Sequence, residues 1–393
     1  MEERRARARA RIVAASVVPF VGYYQGLASF SLPPSWQSRL ELDAVGVSLI
    51  WVSYIVGVVV SLFLSPRLAH SLGTRRVLVV GLGVGVLASL LMAFSADATA
   101  TALGRFLSGI TTGVSSAVGV SAALSLGTGP NAAFAVSVVT AACSLGGGIG
   151  AIGSGLLGSL SYPPDRAVYV VATVLVLIGL GMTRFTGAGR LRPRRGGTDP
   201  TGPPFPVRLV ATAAVQSVCG AAPIGFFFAM GAVLFAVVSG NGDSAVVGRL
   251  AGALFGGGLV GQLLAARTAD RYRRGVALTL NVGSCVLATA AMALGSAALL
   301  AVAGLAAGIG SGYSQLIVNG MLQATMEGAR LSRALSWIHL AGYATNGTLP
   351  LVLGEVSDRT GGHVVSTGLL TAAVGCLAVS LCLLGRRGGR AML

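Results

Sequence analysis

The chain has 393 residues, 54% of them hydrophobic and 10% charged, at a mean hydropathy of +0.80; soluble domains carry about 25% charged residues, so a soluble protein is excluded and an integral membrane protein is expected. All 28 basic residues behind the net charge of +16 are arginine, and the absence of lysine removes a phosphate-loop ATPase and Schiff-base chemistry. The five cysteines sit in apolar runs without a C-x-x-C pair, so no disulfide framework, metal or other cofactor is expected.

A helix needs roughly 20 apolar residues to cross a hydrocarbon core of ~30 Å, and only helices or closed barrels satisfy their backbone there. The apolar runs are too long and continuous for barrel strands. Twelve spanning helices are expected near residues 12–32, 44–66, 76–95, 98–125, 131–158, 166–183, 207–239, 243–266, 275–294, 297–325, 334–356 and 363–385. The first follows the basic stretch from Arg4 to Arg11 and clusters Tyr23, Tyr24 and Gln25 near mid-span. Pro19, these polar residues and the lack of an A-x-A site argue against a cleaved signal peptide. The fourth presents Arg105, Ser108, Thr112 and Ser115 or Ser116. A permanently charged guanidinium inside a span needs a partner, and Asp97, eight residues away on the same helix, is too far for a direct bond.

A basic, proline-rich segment, 184–206, separates six spans in residues 1–183 from six in 207–393, the pattern of two bundles related by an internal repeat. In the second half the seventh span offers Gln216, and Phe226, Phe227 and Phe228 read as core or lipid contacts. The tenth carries Gln315, Asn319 and Gln323 on one face with Tyr313 beside them, and the eleventh carries His339, Tyr343 and Asn346 in the same manner. Polar groups that a membrane penalises mark a substrate path by default. Trp36 and Trp51 are expected in the interfacial belt.

Twenty-three of the 28 arginines lie in segments that are cytoplasmic if both termini are inside, leaving Arg39, Arg105, Arg166, Arg249 and Arg359. That bias fixes an even number of spans and both termini in the cytoplasm, in a cell inner (plasma) membrane. The positive charge then reflects topology and attraction to anionic lipid, and nucleic acid is not an expected partner. None of the twelve carboxylates is placed deep within a span. If protons are the coupling ion, they run through His339, the one evident intramembrane group with a neutral-range intrinsic pKa, or through boundary carboxylates such as Asp97.

Pro66, Leu68, Ala69, His70, Gly73, Arg75 and Arg76 follow the second span, and 200 residues later Ala269, Asp270, Arg271, Arg273 and Arg274 follow the eighth. A third version, Gly354, Asp358, Arg359 and Gly361, follows the eleventh. The first two segments resemble the G-x-L-A-D-R-x-G-R-R loop of the major facilitator superfamily, with Pro66 in place of the glycine and His70 in place of the aspartate in the first and with Ala266, Thr268 and Arg273 departing from it in the second; the third resembles a common ending of the family. The resemblance implies an all-α, twelve-helix integral membrane fold of two six-helix bundles. It also implies a cytoplasmic latch, here Asp270 with Arg271 and, in the first half, Gly73 with Arg75. It further implies that the first, fourth, seventh and tenth helices line a central cavity, and that Arg105 and Gly109 match an R-x-x-x-G element. The G-P-x-x-G-G pattern of drug/proton antiporters is met here by Leu145 to Gly150 without the proline.

The expected function is secondary transport of a small organic molecule by alternating access, through efflux of a metabolite or drug; uptake of a small organic anion is the alternative. A receptor would need a signalling domain, and an enzyme would need a motif such as H-E-x-x-H or G-x-S-x-G in a plausible context; neither is found. No catalytic residue is therefore expected.

Overall fold

The computed structural model describes residues 2–127, 131–160, 162–186, 207–240, 244–323, 325, 328–360 and 363–388. The described residues contain no strand. The first half runs through α1 (Glu2–Leu27), a short α2 (Pro33–Arg39), α3 (Ala44–Leu72) and α4 (Thr74–Ala93). Next comes a rod made of α5 (Ala98–Val114), one π-helical turn (Ser115–Gly119) and α6 (Val120–Ser125), then α7 (Ala132–Gly158) and α8 (Asp165–Met182). The second half comprises α9 (Val207–Ser239), α10 (Ser244–Arg267), α11 (Asp270–Leu294), α12 (Ala297–Gln323), α13 (Gly328–Thr360) and α14 (His363–Gly388). Twelve long rods result, and eight stretches among the described residues are long and apolar enough to cross a membrane. Of the expected 184–206 linker, residues 187–206 lie outside the described residues.

The ends of the helices depart from the ends of the apolar runs. α1 begins at Glu2 and α13 extends from Gly328 to Thr360, well beyond the apolar stretches expected at 12–32 and 334–356. Hydropathy records the thickness of the hydrocarbon, whereas Arg, Glu and Ala favour helix on either side of it. Local signals set several boundaries. Asp97 caps α5 by accepting the Ala100 N–H at 2.8 Å, and Gly295 closes α11 in the left-handed conformation. Pro33 and Pro34 open α2, where a missing N–H is harmless. Pro19, Pro66, Pro223 and Pro350 sit inside helices, as membrane helices tolerate when neighbours satisfy the freed groups.

The chain divides into two compact units, one of Met1–Leu42, Leu49–Pro193 and Asp243–Ala251, the other of Asp43–Ser48, Arg194–Gly242 and Gly252–Leu393. In the first, α1 packs against α7, while α4 packs against α5 and α8. In the second, α9 packs against α13, while α11 packs against α12 and α14. Counting spans, the pairings 1·5, 3·4 and 3·6 recur as 7·11, 9·10 and 9·12, the internal repeat at the level of packing. Both units also carry a glycine crossing: a Cβ on Gly109 of α5 would lie 2.1 Å from the Tyr54 carbonyl oxygen of α3, and one on Gly308 of α12 would lie 2.0 Å from that of Leu254 of α10. Backbones this close leave no room for any side chain.

Burial follows a membrane pattern. Leu49, Phe63, Leu87, Val174 and Leu263 point outward, while Arg105, Gln25, Gln216 and Asn281 are wholly buried. Large exposed apolar area combined with a polar interior is what a lipid solvent selects.

Candidate functional site

The polar centre of the first unit is built on α5. Thr101, Arg105, Ser108 and Thr112 recur at three- and four-residue spacing and are all buried, so they form one inward face. The Arg105 guanidinium donates from Nη1 to the Gly26 carbonyl of α1 at 3.1 Å. Two rings of α3 cover it: the guanidinium carbon lies 4.3 Å from the Tyr54 centroid and 5.1 Å from that of Trp51. Ring faces carry negative charge and attract a desolvated cation by about 2 kcal/mol. Thr112 binds α5 to α1 by donating to the Gly22 carbonyl at 2.9 Å. Gln25 ties α1 to α4, its amide nitrogen reaching the Gly85 carbonyl at 2.7 Å and Ser89 Oγ at 3.1 Å. Tyr24 is core, stacked on Phe20 with centroids 6.5 Å apart. Its neighbour Tyr23 is half-buried on the side of Ser116.

Trp36 and Trp51, expected in the interfacial belt, are buried within the unit: Trp51 lies over Arg105, and Trp36 donates from Nε1 to Asp165 Oδ1 at 2.8 Å. Asp165 sits at the start of α8, at the boundary of its span, where it is buried and paired through Oδ2 with Arg39 Nη2. Arg39 in turn donates to the Ser95 carbonyl at 2.9 Å. Indole and carboxylate satisfy one another, so neither needs the water of the interface. Asp97 is exposed and occupied as the α5 cap.

The second unit has an uncharged counterpart. Gln216 Nε2 of α9 and Asn281 Nδ2 of α11 each donate to Ser314 Oγ of α12 at 3.0 Å. All three side chains are buried, and the carbonyl oxygens of both amides have no protein donor. On α13, Asn346 sets its Oδ1 against Gly225 of α9, where a Cβ would approach to 2.5 Å. Tyr343 is half-buried. Tyr313 shares a hydrogen bond of 2.8 Å with Thr268 beyond the end of α10. Gln315 and Asn319 are exposed, on a face of α12 different from that of Ser314, while the side chains of Gln323 and His339 lie outside the described residues. Phe226 and Phe227 are buried core, their rings edge-on at 5.8 Å.

At the loops, Gly73 turns α3 into α4 at φ +95°, a conformation that glycine alone adopts without strain, and Arg75 is exposed beside it. Asp270 pairs with Arg273, one turn along α11, while Arg271 lies over the Tyr272 ring at 4.6 Å. Structure thus adds Trp51, Tyr54, Asp165, Asn281 and Ser314 to the residues marked by sequence. Asn281 carried a signal, as a lone amide in an apolar run, and so did the three-residue spacing of Trp51 and Tyr54. Ser314 carried none, since a serine is common in such helices.

The pattern that defines the Major Facilitator Superfamily matches residues 17–326. Among solved structures, the chain is similar to a mutant of the nucleoside transporter NupG at TM-score 0.75 and 13% identity, covering 96% of this chain and 99% of that one. It is also similar to a bacterial homologue of the human lysosomal transporter Spinster in an inward-facing, occupied conformation, at TM-score 0.77 and 14% identity, covering 95% and 96%. No curated protein matches the chain by sequence. At such identities the solved structures speak for the fold alone.

Proposed function

The chain belongs to the major facilitator superfamily, and from that premise we propose that it is a secondary transporter exporting a small uncharged or weakly anionic organic molecule by alternating access. The observation that carries this reading is the chemical inventory of the two interiors. One has a guanidinium faced by aromatic rings, the other a set of amides. Among the described residues the buried carboxylate, Asp165, is already paired with Arg39, so nothing favours a cationic substrate. Arg105 supports a second reading, uptake of an organic anion.

In the proposed cycle Tyr23, Tyr24, Gln25 and Arg105 of one unit and Gln216, Tyr313, Gln315, Asn319, His339, Tyr343 and Asn346 of the other bind or position the substrate. Asp270, Arg271, Gly73 and Arg75 form the cytoplasmic gate. The membrane is the inner one, with both termini in the cytoplasm, and protons are the coupling ion.

The test is purified protein in liposomes with an imposed pH gradient and a trapped pH dye, exposed in turn to uridine, benzoate and tetraphenylphosphonium. Uridine enters the panel because NupG is a nucleoside transporter. Protein-dependent collapse of the gradient by uridine or benzoate is expected, whereas a response to the cation alone would sink the substrate class. Retained pH dependence in a His339→Gln protein would remove the histidine from the coupling path.

A further inference from the structure

The charge balance inside the first unit does not close. Asp165 supplies one negative charge and Arg39 takes it, both at the start of α8 and the end of α2. Arg105 is then a second buried cation without a carboxylate. Of its donor nitrogens, Nη1 reaches a carbonyl, while Nε and Nη2 are buried and meet no acceptor. Orphan donors on a charged group are the costly kind, because each has lost its hydration and the ring contacts supply no acceptor in exchange.

Three hydroxyls are orphaned as well, that of Tyr169 beside the guanidinium, that of Ser29 beside Tyr169, and that of Ser108 one turn along α5. Tyr169 of α8 faces both Arg105 and Ser29 without meeting hydrogen-bond geometry with either. Ser108 lies one turn beyond Arg105 on the same face of α5, and Ser29 follows the end of α1. None of the three oxygens has a partner, and all three residues are buried. Two nitrogens of the charged guanidinium and three hydroxyls, all able to donate, are thus buried in this part of the unit without an acceptor.

We propose that Arg105, Tyr169 and Ser29, with Ser108 behind them, bind a small monovalent anion of halide size, chloride being the obvious one. Single charge follows from the +1 left after the Arg39 and Asp165 pair. Small size follows from the burial of every donor, which admits a bare sphere more readily than a bulky organic group. Acceptor-only chemistry follows from a donor set of guanidinium and hydroxyl groups. The anion would serve as a resident counter-ion, keeping Arg105 charged while its ring contacts with Trp51 and Tyr54 hold α3 to α5.

The experiment is thermal unfolding of the full chain in detergent, titrated with sodium chloride against sodium gluconate at fixed ionic strength. The expected result is a saturable rise in Tm with chloride and bromide. Tyr169→Phe, which removes one hydroxyl and keeps the ring, should raise the half-saturating concentration about tenfold or more, the loss of one hydrogen bond to a charged group. Arg105→Gln should abolish the response; if that protein does not fold, Ser29→Ala takes its place with a smaller shift. A Tm flat in chloride, or a response unchanged in Tyr169→Phe, overturns the proposal and leaves water on these donors. A rise with acetate and none with halide also overturns it, because the site would then select a carboxylate over a halide. No transport step enters the readout, so its failure is separate from failure of the function proposed above.

Discussion

The buried charges set the constraints at the residue scale. Asp165 satisfies three groups at once: the Trp36 indole, the Arg39 guanidinium and, through Arg39, the turn at Ser95. Removing one partner of a buried pair costs about 3–5 kcal/mol, because the other is left uncompensated. Arg39 keeps some solvent contact, with 17% of its side chain exposed, so Asp165→Ala is expected near 3 kcal/mol. Asp165→Asn should cost less, since an amide oxygen still accepts from Trp36. Denaturant unfolding followed by tryptophan emission measures both, and equal losses for the two variants would show that the carboxylate charge carries the whole contribution and the hydrogen bond to Trp36 none of it. Arg105, Gln25 and Gln216 were legible in the sequence because an amide or guanidinium in an apolar run is conspicuous. Their pairing was not, because Tyr54, Asn281 and Ser314 become partners only through the rotation of each helix about its axis. The two tryptophans show the same limit: the sequence places both near span ends and does not disclose the partner each meets, Asp165 for Trp36 and Arg105 for Trp51.

Glycine decides how the elements fit. Gly109 on α5 and Gly308 on α12 face the backbones of α3 and α10 at a distance that excludes a methyl group, whereas a Cβ on Gly83 of α4 would meet nothing within 4 Å. Gly109→Ala and Gly308→Ala are therefore expected to push the helices apart and to lower the yield of monodisperse protein on size-exclusion chromatography several-fold. Gly83→Ala should be neutral or better, since alanine gains roughly 0.8–1 kcal/mol of helix propensity over glycine. Equal behaviour of all three variants would mean that the crossings tolerate repacking. The number and order of helices were legible at this scale, because span length is fixed by the hydrocarbon. The starts of α1 and α13 were not, because a helix continues past the membrane wherever charged residues favour it. Nor was the pairing of Asp270 with Arg273 on one face of α11, since spacing alone does not choose among the neighbouring arginines.

For the whole molecule, the repeated pairing of helices and the arginine distribution make one joint claim about orientation. If each unit is a six-helix bundle with the same packing scheme, both begin and end on the same side of the membrane, and the arginine-rich segments must all share that side. Loops carrying Arg75 and Arg76, Arg267 to Arg274, and Arg330 with Arg333 would then be cytoplasmic, together with both termini. The turn that contains Asp97 and the one that contains Asp165 would face outward. Green fluorescent protein fused after Leu393 should fluoresce and alkaline phosphatase there should stay inactive, because phosphatase folds only outside the cytoplasm. The same phosphatase inserted between Ser95 and Asp97 should be active. Replacing Arg267, Arg271, Arg273 and Arg274 by Gln should weaken the signal of the second half alone and give mixed reporter activity for fusions beyond α11. A uniform result in that variant would mean that the first half dictates the orientation of the second, so the arginines after α10 would have to be kept for some role other than topology.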